Sequence, residues 1–154
     1  MPSFFQVHTL FWTDPKVFAW NQVEKNLALY LLTCDHRNLE GYYRLPYAYI
    51  SADLGLERDE VTVALERLIR DDFCRYDVDA QVVFLPKALK YRQPTTARHV
   101  EGAVNDLRAV PDSYLYADFQ EAAAMYAPAL SKVIGEPSEW AARDRETTHT
   151  NGTS

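Results

Sequence analysis

The sequence predicts a mainly helical α+β fold, and three observations carry that prediction. Apolar residues recur at helical spacing around residues 23–31, 61–69, 100–107 and 115–126. A short step, Leu54-Gly55-Leu56, separates two helical stretches. Two short strand-like runs, 74–77 and 81–85, are joined by Asp77-Val78-Asp79-Ala80, the composition of a tight turn. With 154 residues, 47% of them hydrophobic and 13% aromatic, the chain has the material for one packed core.

In chain order, residues 4–11 alternate loosely and are expected to form a short strand. Asp14-Pro15 marks a helix start, since Asp accepts the free amides of a first turn and Pro suits its first position. A helix over 21–33 would bury Val23, Leu27, Tyr30 and Leu31 on one face. Residues 41–44 read as a strand leading to Pro46, which opens a helix that Gly55 stops. The next helix, 58–72, places Val61, Leu65, Leu68 and Ile69 toward the core. A turn this short forces the two helices to cross steeply, as in a helix-turn-helix, and the hairpin of 74–85 follows in the position of a wing.

Thr95-Thr96 caps a further helix with Val100, Ala103, Val104 and Leu107 on one face. Pro111-Asp112-Ser113 begins another, carrying Leu115, Phe119, Ala122 and Tyr126, and Pro128 interrupts it. The expected organisation is a winged helix-turn-helix domain over 1–92, a helical extension over 93–135, and a disordered polar tail over 136–154. The longest apolar run, residues 27–32, is far too short to cross a membrane. Residues 1–4 lack a charged start before a long apolar stretch, so a secretory leader is not expected, and the two cysteines, Cys34 and Cys74, sit among core-like residues. A cytoplasmic protein with reduced, buried thiols is expected.

The order helix, strand, helix, helix, hairpin comes with particular motifs. Phe11-Trp12-Thr13-Asp14-Pro15-Lys16-Val17, Gly41-Tyr42-Tyr43-Arg44-Leu45-Pro46, the stretch from Leu54-Gly55-Leu56 to Ala64-Leu65-Glu66-Arg67-Leu68, and Leu89-Lys90-Tyr91-Arg92 occur in succession. Together they resemble the N-terminal winged-helix domain of phage replisome organisers, relatives in architecture of the bacterial primosome (DnaD-like) replication proteins. The resemblance covers residues 4–119. It implies a DNA- or replisome-binding module of phage or prophage replication initiation, with a replisome or helicase-loader protein as partner.

Charge distribution bears on where such a module would touch DNA. The formal net charge is −6, which makes the chain a poor general binder of phosphate. Over 57–72, Glu57, Asp59, Glu60, Glu66, Asp71 and Asp72 oppose Arg58, Arg67 and Arg70, leaving −3 on the helix that would enter the major groove. Arg58 and Thr62 near its start are the candidates for a groove. Asp77 and Asp79 stand at the expected hairpin tip, where a groove-tracking wing would want Arg or Lys.

Residues 86–110 have the opposite character. Lys87, Lys90, Arg92, Arg98 and Arg108 oppose only Glu101 and Asp106, a net of +3. Tyr91 between Lys90 and Arg92 suits base stacking beside neutralised phosphates, so Lys87, Lys90, Tyr91, Arg92 and Arg98 are the leading DNA-contact candidates. The competing reading packs Tyr91 on the core and leaves the cations as a solvated rim. A second functional reading turns to the acidic helix, which would make the chain an adaptor or inhibitor docking a basic replication or nuclease protein.

Catalytic signatures are missing from the sequence. His8, His36, His99 and His149 are scattered, and Cys34-Asp35-His36 is too local to converge on one ion. Five glycines form no phosphate-cradling loop. Adjacent carboxylates such as Asp71-Asp72 point apart on a helix. The expectation is a non-enzymatic protein without metal or cofactor.

Overall fold

The computed structural model describes residues 4–135, so the polar tail expected over 136–154 lies outside the described residues. The chain is mostly helical with one small antiparallel sheet, as the sequence predicts. The strand expected over 4–11 does not form. Instead, the His8 Nδ1 accepts the Leu10 N–H at 3.0 Å and starts a 3-10 turn over Thr9–Thr13. An extended segment becomes a strand only beside a ladder partner, and this one has none.

Helix α1 (Pro15–Ala19) begins where predicted, with the Asp14 carboxylate accepting the Lys16 N–H at 2.8 Å. Helix α2 (Gln22–Thr33) starts with a reciprocal cap between Asn21 and Glu24, at 2.9 and 2.8 Å. Strand β1 (Tyr42–Arg44) follows Gly41, which has a φ of +72°. A Cβ at Gly41 would collide with the Cβ of Ala88, so only glycine fits. Helix α3 (Tyr47–Leu54) stops at Gly55, whose φ of +66° is left-handed as anticipated. Helix α4 (Arg58–Arg70) opens on a second reciprocal cap, between Glu57 and Glu60.

Val61, Ala64, Leu65 and Leu68 are buried in a cluster with Leu27 and Leu31. Ile69, expected among them, is 38% exposed. At about 100° per residue it lies roughly 90° round from the centre of the buried stripe, beyond the reach of the core.

Strands β2 (Arg75–Asp77) and β3 (Val82–Phe84) form the predicted hairpin, and β3 lies centrally in the order β1-β3-β2. Successive side chains of a strand point to opposite faces. Tyr43, Val83 and Tyr76 accordingly join the first cluster, with α2 and α4. Tyr42, Val82 and Phe84 join a second cluster with Leu89, Phe119, Leu130 and their neighbours. That second face is covered by α6 (Ala97–Arg108), α7 (Leu115–Tyr126) and α8 (Pro128–Ile134), with Tyr42 stacked 5.3 Å from Phe119. Thr96 caps α6 by accepting the His99 N–H at 3.2 Å.

The hairpin tip also differs from expectation. Asp77 is 5% exposed: it accepts the Asp79 and Ala80 amides and the Ser113 hydroxyl, the last at 2.7 Å. A short carboxylate that closes its own turn is drawn inward, leaving Val78 and Asp79 as the exposed tip. The two thiols are buried as predicted, and burial pushes both upward in pKa, Cys74 to about 12. Among the described residues no helix is long and apolar enough to cross a membrane.

Candidate nucleic-acid interface

The predicted site residues fall into two places. Arg58 and Thr62 belong to α4, where they line a shallow groove of about 300 Å³ with Tyr47, Glu66, Ile69 and Val78. The Arg58 guanidinium lies 5.0 Å from the Tyr47 ring centroid, and the Thr62 hydroxyl donates to the Arg58 carbonyl at 2.9 Å. Both side chains thus have intramolecular partners. The floor contributed by Ile69 and Val78 is apolar, a poor match to the polar edges of base pairs.

Lys87, Lys90, Tyr91 and Arg92 gather on α5 (Ala88–Tyr91), a single turn. Leu89 is 1% exposed and pins that turn to the second core, so its neighbours are directed outward. Lys87, Lys90 and Arg92 are exposed, and so is Arg98 at the start of α6. Tyr91 is 70% exposed, which removes the reading that packs it on the core. The Lys90 Nζ sits 5.8 Å from the Tyr91 ring centroid, a cation–π arrangement. Among the described residues none of Lys87, Lys90, Arg92 and Arg98 is in an ion pair. Two arginines elsewhere are engaged by carboxylates: Arg67 holds Asp71 at 3.0 Å, and Arg75 holds Asp118 at 3.2 Å.

Beside α5 lies a group the sequence did not reveal. Arg37, in the loop between α2 and β1, donates to the Leu32 carbonyl at 2.6 Å and stacks 4.5 Å from the Phe5 ring. Burial lowers its pKa, and the positive charge of Arg92 acts in the same direction. Glu40 is 3% exposed, and its Oε2 has no conventional donor. Burial first, and the Asp106 carboxylate second, push its pKa up to about 8. Burial and the neighbouring carboxylate thus both favour the neutral carboxyl of Glu40 over its charged form.

The same loop carries His36, which stacks on Tyr49 of α3 with centroids 4.8 Å apart and 29° between planes. Arg44 of β1 approaches the same Tyr49 ring at 5.8 Å. Asp53 orients this end of the molecule, accepting the Tyr30 hydroxyl at 2.6 Å and lying 3.8 Å from His36 Nε2. Loop, strand and helix each supply one member of the ladder, so no spacing in the sequence announces it.

A second groove, about 340 Å³, runs between the starts of α2 and α4 and is lined by Val23, Glu24, Asp59, Glu60 and Val63. Comparisons with protein-family models, with curated proteins and with solved structures found no match for this chain.

Proposed function

We propose that this chain is a non-enzymatic winged-helix module that binds DNA through the phosphate backbone, with α5 and the start of α6 as its contact surface. The observation that carries this reading is the set of exposed cations Lys87, Lys90, Arg92 and Arg98 around an exposed Tyr91, none of them in an ion pair among the described residues, in a chain whose net charge is −6. Exposed cations not engaged by carboxylates are available to displace counterions from a polyanion. Support for a winged helix comes from the order α2, β1, α3, α4, β2, β3, the short turn at Gly55 and the central position of β3. The acidic α4 and the partnered Arg58 and Thr62 argue for contact away from the usual recognition helix.

The replication setting, in a phage or prophage and alongside a replisome or helicase-loader protein, rests on the motif resemblance. Cytoplasmic residence fits the two buried, unreactive thiols.

A second reading, the adaptor that docks a basic partner, is favoured by the groove of Glu24, Asp59 and Glu60 around Val63, which is 65% exposed. One experiment separates the two: anisotropy of labelled single- and double-stranded DNA at low and at moderate salt. The DNA reading expects retention at low salt that weakens linearly in log K against log salt. Absence of retention at low salt overturns it in favour of the adaptor.

A further inference from the structure

We infer that the α5 strip continues across the loop of residues 35–40 to the His36–Tyr49–Arg44 ladder, and that this track takes single-stranded nucleic acid in preference to duplex. The inference rests on the DNA-binding reading and names its substrate class. The charge of Arg92, at the end of α5, is felt at Arg37, and Arg37 adjoins in the chain His36, whose ring stacks on Tyr49. In the other direction the loop returns to α5 at Gly41, whose carbonyl accepts the Leu85 N–H at 2.8 Å and whose Cα faces Ala88. The chain from His36 to Gly41 reaches at most about 18 Å, so the ladder and the strip lie within the span of a few nucleotides.

The composition along that path alternates cations with rings: Lys90 and Tyr91, Arg92, Arg37 over Phe5, then His36, Tyr49 and Arg44. Cations follow a phosphate backbone, and rings or guanidinium planes accept unstacked bases. A duplex hides its base faces and would leave these planes unused. Arg44 is exposed and Tyr49 is 42% exposed, so the ladder is open at the surface. The acids along the path are Asp35, Glu40, Asp53 and Asp106. Asp53 already accepts the Tyr30 hydroxyl and lies beside His36, and Glu40 is buried, where desolvation and Asp106 both favour its neutral form.

The test uses oligothymidylate of about 5 and about 15 nucleotides and a duplex of the longer length, chosen around the site sizes of known single-strand binders. Tyr49→Ala and Arg44→Ala, each checked by thermal melting, are compared with the parent and with Lys87→Ala/Lys90→Ala/Arg92→Ala. The expected result is a loss of about tenfold in affinity for the long oligonucleotide in each single variant. Affinity for the short oligonucleotide and for duplex stays at the parental value in those variants. Unchanged affinity for the long strand in both single variants, with loss in the triple variant, overturns the track and leaves the DNA-binding reading standing. Equal losses on strand and duplex also overturn it. Failure of the parent to bind any of the three probes removes both the track and the reading beneath it.

Discussion

Replacing Lys87, Lys90 and Arg92 together by alanine gives the most quantitative test of the α5 surface. All three side chains are exposed and none is in an ion pair among the described residues, so the fold loses no salt bridge, only the surface contact of Lys90 with the Tyr91 ring. Leu89, which pins α5 to the core, is untouched. Substitutions of this kind change stability by about 0.5 kcal/mol or less. Each phosphate contact contributes about −0.9 to the slope of log K against log salt on duplex DNA, and about −0.7 on single strands. Loss of three contacts therefore flattens the slope by about 2.7 on duplex or about 2.1 on single strands. Over a fourfold rise in salt, the parent should lose about 20–40 times more affinity than the variant. Anisotropy titrations at a series of salt concentrations measure both slopes directly. A variant slope equal to that of the parent would refute the assignment, because binding would then not involve these cations.

Two further predictions concern the fold that holds this surface. Glu40 keeps a proton in the folded state up to about pH 8 but titrates at its ordinary value of 4.5 when unfolded. The folded chain thus binds more protons between those values, and stability declines as pH rises through that window. Glu40→Gln, which is neutral at every pH and nearly isosteric, should flatten the decline and raise stability above pH 8 by about 2–5 kcal/mol. Parallel pH profiles of the melting temperature for parent and variant would contradict this. Leu65 is 1% exposed while Ile69 is 38% exposed. Leu65→Ala should cost about 2–5 kcal/mol, and Ile69→Ala about 1 kcal/mol or less, in chemical denaturation. Equal costs would mean that α4 is rotated from its described orientation.

Local chemistry made much of the fold legible. Asp14-Pro15, Gly55 and Thr96 mark helix boundaries because their partners lie within five positions along the chain. The reciprocal caps at Asn21 with Glu24 and Glu57 with Glu60 are equally local, each joining residues three positions apart. The basic strip was visible as composition, since Lys87, Lys90, Tyr91 and Arg92 are nearly consecutive.

Other features were decided only when distant segments met. Whether Tyr91 faces solvent depends on Leu89 finding the second core, which α6, α7 and α8 complete against the outer face of the sheet. Asp77 turned inward because Ser113 lies beside it, 36 residues further along. The protonated Glu40 needs Asp106, and the His36–Tyr49–Arg44 ladder needs a loop, a helix and a strand. Hydrogen bonds to near neighbours set the ends of elements, so residues alone announce them. Desolvation, shared protons and ring stacking depend on what the folded chain brings alongside, and for this protein that placement decides which charges remain available to a partner.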